Sequence, residues 1–165
     1  MPPSRRSSGT WRSPVAPARG AAAGRQAYRR GVACFLCFAC RNPITLSVRK
    51  IPLPPWKEEP VGATAWYERI KPPRMPRGAY SANHHPHEFS GEPPGLVIHP
   101  DDAVGMRLHP DISRLTGCCG ISAINGPNLV CAACGAELAI HQADCYTENQ
   151  ITLLAEAVIL SYAHE

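Results

Sequence analysis

Lysine is scarce in this chain of 165 residues: three lysines stand against fourteen arginines. Together with abundant Ala, Gly and Pro, that bias points to a GC-rich coding sequence. No stretch approaches the roughly 18 apolar residues of a membrane span, which argues against a membrane partner. The apolar run Val32–Cys40 follows Arg29-Arg30 and imitates a short signal core, but it lacks a small-x-small cleavage site and starts far from Met1. The expected location is therefore cytoplasmic.

Common catalytic patterns are missing as well. There is no Gly-rich phosphate loop, no H-E-x-x-H and no G-x-S-x-G elbow. His87-Glu88 does not have the spacing of a zinc-deaminase H-x-E, and no C-x-x-C pair follows a proline. Asp101-Asp102 could face a cation, yet adjacent residues of a strand point apart. The sequence thus assigns no catalytic residue and no organic-cofactor site.

The net charge of +4 is unevenly distributed. Residues 1–30 hold seven arginines and no acid, which leaves −3 for residues 31–165. This Arg/Pro/Ser-rich tail has almost no apolar periodicity and cannot offset its ordering entropy by burial, so it is expected to be disordered. A nucleic-acid contact would rest on this tail alone, because the remainder is mildly acidic.

Residues 31–165 are expected to form one domain. In 31–51, Ile44, Leu46 and Val48 alternate with Thr45, Ser47 and Arg49, the period of a strand with one buried face. Residues 52–95 hold ten prolines. Each removes an amide donor and restricts the residue before it, so this insertion should consist of loops and edges, with a short helical turn at Thr64–Ile70. Leu96-Val97-Ile98 and Leu138-Ala139-Ile140 predict short strands, and Asn125-Gly126-Pro127 a turn. Thr147 and Gln150 have the form of a capping box. Ile151, Leu154, Ala155, Val158 and Tyr162 then recur at helical spacing, predicting a C-terminal amphipathic helix.

Eight cysteines are the most informative residues. Cys37-Phe-Ala-Cys40 and Cys131-Ala-Ala-Cys134 are both followed, after three residues, by an apolar residue that opens a strand. A two-residue gap lets both thiolates of a pair face one ion, and Gly135 suits the tight turn after the second pair. Two such knuckles supply the four thiolates of a tetrahedral Zn²⁺ site, here in the pattern C-x₂-C-x₉₀-C-x₂-C. The first knuckle has two registers, because Cys34-Phe-Leu-Cys37 is also C-x-x-C. Arg41-Asn42-Pro43-Ile44 favours Cys37/Cys40, since it parallels Gly135-Ala136-Glu137-Leu138 after the second knuckle. Cys118, Cys119 and Cys145 remain open to three readings: a second metal site completed by His141 or His109, a redox couple, or packing around the Gly117–Gly120 turn. His84-His85-Pro86-His87 falls in the Pro-rich segment and reads as an exposed polar loop.

The block from Gly117-Cys118-Cys119-Gly120 through Gly126-Pro127-Asn128-Leu129-Val130-Cys131 to Asp144-Cys145 resembles uncharacterised zinc-ribbon-like proteins of GC-rich bacteria. Those share an early C-x-x-C and a G-x-Y element, here Gly78-Ala79-Tyr80. The resemblance covers residues 33–160. It implies that Cys37/Cys40 and Cys131/Cys134 form one structural unit, and that Cys119 and Cys145 share a structural role. It carries no function, and Arg41 stands where a glycine would be usual.

The expected fold is accordingly a small β-rich α+β domain, with a zinc-ribbon-like core, a Pro-rich insertion over 52–95 and a C-terminal helix. The expected function is a structural-zinc binding or interaction module rather than an enzyme, with a partner, protein or nucleic acid, that the sequence does not identify. The competing expectation is a metal-dependent or thiol-based enzyme using Cys118/Cys119, Cys145 and a histidine.

Overall fold

The structure is a computed structural model that describes residues 32–56, 62, 65, 69–86 and 93–162. The arginine-rich segment 1–30, His87 and most of the expected Thr64–Ile70 turn lie outside the described residues. Strands dominate: β1 (Ala33–Cys37), β2 (Arg49–Lys50), β3 (Ala79–Asn83), β4 (Gly95–Ile98), β5 (Met106–Leu108), β6 (Leu129–Cys131), β7 (Glu137–Gln142), β8 (Gln150–Leu153) and β9 (Val158–Tyr162). Seven of them form a sheet in the order β2-β3-β4-β8-β7-β6-β5. Only the β2–β3 pair is parallel. The first and last strands, β1 and β9, pair with each other in a separate antiparallel ribbon.

The C-terminal helix is not formed, and the α+β class falls with it. Among the described residues the helical content is three short 3-10 turns, at Pro100–Asp102, Ile112–Leu115 and Ala155–Ala157. All four residues of β8 are buried, because this strand lies between β4 and β7 with both faces covered. Such a strand shows no polar alternation. After it, the Ala155–Ala157 turn shifts the phase before β9 begins, so residues from two different strands imitate a helical period. The capping box fails for a related reason. Thr147 Oγ1 accepts from the Asp144 amide at 3.0 Å, one turn upstream. Gln150 is buried, with Oε1 accepting from Arg74 Nη1 at 3.3 Å.

Two other expectations need correction. The Pro-rich segment contains an interior strand, β3, which sits between β2 and β4. It occupies the proline-free window between Pro76 and Pro86, where amide donors are intact. The segment Pro43–Val48 is not a regular strand: isolated bridges join Leu36 to Pro43, Ala33 to Val48 and Thr45 to Ala103. Thr45 is buried beside Ile44 rather than facing outward, and its Oγ1 accepts the Phe35 amide at 2.9 Å.

One core gathers Phe35, Ile44, Val48, Tyr80, Ile98, Leu129, Leu138, Ile151, Leu153 and Val158. Phe35 meets Tyr80 edge-on at 5.0 Å, fastening the β1–β9 ribbon to the sheet. Leu138 and Ala139 both reach this core despite being sequence neighbours, because a bulge lies opposite Leu129/Val130. On the other side of the sheet, Ala79 and Val97 pack with Met75, the alternates of Tyr80 and Ile98.

The Met75 side is anchored by charge. Lys71 Nζ lies 3.0 Å from Glu148 Oε1, with the two side chains only 8% and 1% exposed. The Asn149 side chain donates to the Lys71 carbonyl at 3.0 Å, and the Asn149 carbonyl accepts the Arg74 amide at 2.9 Å. Trp56 lies beneath the Lys71 ammonium at 5.1 Å. Lys71→Ala would remove a close cationic partner from the buried Glu148 carboxylate, so it is expected to lower stability by about 3 kcal/mol in chemical denaturation. Replacing both partners, Lys71→Met with Glu148→Leu, should recover most of that loss.

Candidate metal centre

The first knuckle begins where β1 ends, at Cys37, and the second where β6 ends, at Cys131. Both turns close in the same way. The Arg41 amide donates to the Cys37 carbonyl at 2.9 Å, and the Gly135 amide to the Cys131 carbonyl at 2.9 Å. One residue further on, the Asn42 and Ala136 carbonyls accept the Cys37 and Cys131 amides at 2.9 and 2.8 Å. Such closure requires a left-handed residue after the second cysteine. Gly135 takes it at φ 79°, and Arg41 takes it at φ 63° with a side chain present. An L residue there bears roughly 1–2 kcal/mol of strain.

Gly105, also left-handed at φ 61°, holds the two knuckles together. Its carbonyl accepts the Ala132 amide at 2.9 Å and the Asn42 side chain at 3.2 Å. A Cβ at this position would collide with the Pro43 carbonyl and the Asn42 amide nitrogen. The first knuckle is also tied to the β9 approach, since the Phe38 amide donates to Ala157 O at 2.9 Å.

These contacts bring the four sulfurs of Cys37, Cys40, Cys131 and Cys134 within 4.8 Å of one another. Cys37 lies 3.7 Å from Cys134, and Cys40 lies 3.6 Å from Cys131. A tetrahedron with metal–sulfur bonds of about 2.3 Å has edges of about 3.8 Å. The donor set therefore fits one tetrahedral thiophilic ion. Cys34 is excluded from the group: three residues before Cys37 in an extended strand, it points to the opposite side and is buried there.

The four thiols are not equivalent. Burial works against ionising Cys131, but the amides of Cys134 and Ala133 and the thiols of Cys40 and Cys134 outweigh it and bring it down to about 7. At Cys40 the Asn42 amide favours the thiolate, yet desolvation and hydrogen bonds to Cys134, Cys131 and Cys37 push the thiol up to about 12. One sulfur is thus poised to ionise while its neighbours donate to it. A dication would displace the remaining protons.

The structure also brings Cys118, Cys119 and Cys145 together, their sulfurs within 4.8 Å of one another. Sequence reasoning placed these residues but missed their organiser, Asp144, whose carboxylate accepts the amides of Cys118, Cys119 and Cys145 at 2.6, 2.9 and 2.6 Å. Burial alone would raise the Asp144 carboxyl; these three donors hold it below the usual range. Hydrogen bonding to Cys119, then desolvation and Asp144 itself, push the Cys145 thiol up to about 12.

Among the described residues no histidine joins either group. Burial lowers the pKa of the His141 ring, and Asn128 grips its backbone at 2.7 and 2.9 Å. The His109 Nδ1 accepts the Asp111 amide at 3.0 Å, and its Nε2 faces Glu137 at 3.4 Å. His84 and His85 are exposed, as expected for that loop. Asp102 is no cation ligand either: it is buried and accepts the Gly78 amide at 2.6 Å, while Asp101 lies outside.

Neither a family model, nor a curated protein, nor a solved structure matches this chain. Function is therefore read from the cysteine geometry.

Two substitutions probe the knuckle backbone without touching sulfur. Arg41→Gly relieves the left-handed strain but adds unfolded-chain entropy, for a net gain of about 0.5–1 kcal/mol by thermal or chemical denaturation. Gly105→Ala has the opposite sign. It should lower stability by about 2–4 kcal/mol, since backbone rather than a movable side chain blocks the new methyl.

Proposed function

We propose that this protein is a non-enzymatic interaction module whose paired knuckles hold a structural Zn²⁺ ion through Cys37, Cys40, Cys131 and Cys134. The observation that carries the reading is the closure of four sulfurs from two matched turns at near-tetrahedral spacing. A full set of protein thiolates leaves no open position for a substrate, which is the mark of a structural site. Zinc is the natural ion for such a set, being tetrahedral, thiophilic and redox-inert. Its binding energy would be folding energy, on the order of 10 kcal/mol. A reducing compartment such as the cytoplasm belongs to the same proposal, because thiols must stay reduced to ligate.

A protein partner is favoured over nucleic acid. Among the described residues Phe38, Leu108 and Ile112 are exposed, while residues 31–165 carry a formal charge of −3. The enzyme reading, with its Cys118/Cys119, Cys145 and a histidine, has no histidine within reach of the cluster among the described residues.

Elemental analysis of the reduced full chain tests this. Cys131→Ser should remove one zinc per chain and abolish the near-ultraviolet dichroism of the packed core. Wild-type metal content in a folded Cys131→Ser protein would overturn the proposal. Metal affinity should also weaken as pH falls, since each protonated thiol must lose its proton to ligate. The fall should be steep around and below pH 7, where the Cys131 thiolate itself is lost; an affinity independent of pH from 8 to 6 would contradict four-thiolate ligation.

A further inference from the structure

The Gly117–Gly120 turn is built with more care than packing requires. A Cβ on Gly117 would collide with the Asp144 carboxylate and the Gly120 carbonyl, and one on Gly120 with the Ala143 carbonyl. Both glycines are therefore demanded by the close approach of this turn to residues 143–145. An isolated bridge joins Ile121 to Ala143, with the Ala143 amide donating to Ile121 O at 2.9 Å. The Asp144 carboxylate then gathers the amides of Cys118, Cys119 and Cys145 onto its two oxygens. The opposite turn is locked in its place, because the Asp144 amide donates to Thr147 Oγ1 at 3.0 Å and the Thr147 amide to Asp144 O at 3.2 Å.

The outcome of this construction is a three-thiol cluster. Cys118 and Cys119 have sulfurs 3.8 Å apart, the edge of a tetrahedron with metal–sulfur bonds of about 2.3 Å. Cys145, from a segment 26 residues further along than Cys119, brings the third sulfur within 4.8 Å of both. Cys118 is exposed, and the other two are partly so. Vicinal cysteines seldom bond to each other, and three thiols facing one point leave one unpaired in any disulfide. A shared ion satisfies all three.

We infer that Cys118, Cys119 and Cys145 form a second zinc centre, with three thiolate ligands and a fourth position open to solvent. Three protein ligands with an open position are what distinguish an accessible zinc from a closed structural one. Loading converts three thiols to thiolates, releases up to three protons to the buffer and leaves a complex of net charge −1. The fourth position is taken by water or by an exogenous nitrogen or sulfur ligand. Asp144 does not ligate. It is a positioning residue whose oxygens are committed to backbone amides.

The test is zinc content of the reduced full chain, prepared without oxygen, for wild type, Cys118→Ser, Cys145→Ser and Cys131→Ser. Cys118 is exposed, so its serine variant should keep the wild-type dichroism. Wild type should hold two zincs per chain, and both Cys118→Ser and Cys145→Ser one. With cobalt in place of zinc, added imidazole should shift the visible bands of one ion in wild type and of none in Cys118→Ser. A Cys118→Ser protein with the same zinc content as wild type would overturn the inference. So would a disulfide from Cys145 to Cys118 or Cys119 in freshly isolated protein, found by peptide mass spectrometry, since that would make the cluster a redox couple. The two centres fail separately. Loss of an ion only in Cys131→Ser leaves the four-thiol centre standing alone, and loss only in the Cys118 and Cys145 variants leaves the three-thiol centre alone.

Discussion

Four sulfurs within 4.8 Å of one another, with two pairs at 3.6 and 3.7 Å across two chain turns, set the terms for everything around them. Four ionised thiolates so close would repel strongly, and four neutral thiols offer only weak hydrogen bonds. A bound dication would resolve the conflict, reducing four negative charges to two. The surroundings suit that residual charge. The amides of Ala133 and Cys134 donate to the Cys131 sulfur, and that of Asn42 to the Cys40 sulfur. The same constraint explains why the ribbon and the sheet meet here. Cys37 ends β1, Cys131 ends β6, and Gly105 must pass between them without a side chain.

Elsewhere the fold relies on buried acids as organisers of irregular backbone. Asp102 fixes the Gly78 turn that starts β3, Asp144 folds the Gly117–Gly120 turn, and Glu148 receives Lys71. Each lies within a loop-rich stretch where backbone amides lack ladder partners. Asp144, which accepts three amides, satisfies them together and is itself held in the ionised form. This is how a chain with 18 prolines and short strands can order so much of its connecting backbone. The two cysteine centres differ accordingly. The first is held by strand ends and matched turns, the second by one buried aspartate.

How much was legible in the residues depends on the range of the forces involved. Knuckle turns are local: C-x-x-C spacing, Gly135 and the strand after it are contained within a few residues, so both could be read directly. The short strands at 96–98 and 138–140 and the Gly126 turn were legible for the same reason. The helix misreading at 151–162 shows the limit. Periodicity reports the burial pattern, and a fully buried strand followed by a phase-shifting turn produces the helical pattern without any helix. The strand inside the Pro-rich segment was hidden because composition was averaged over 52–95, while pairing needed only the window between two prolines.

By itself, then, the sequence determined which cysteines can form knuckles, where a tight turn must come after them, and that helices would be disfavoured over much of the chain. The residues already favour Cys37/Cys40 over the Cys34 register and match that pair to Cys131/Cys134; only the tertiary structure brings the two pairs to 3.6 and 3.7 Å and makes Cys118, Cys119 and Cys145 converge around Asp144. The physical reason is separation along the chain. A turn is fixed by dihedral preferences and bonds among neighbours, whereas the meeting of distant turns depends on sheet order, register and the absence of a Cβ at Gly105, Gly117 and Gly120. No local pattern encodes those three close approaches, because each becomes a constraint only when its distant partner arrives.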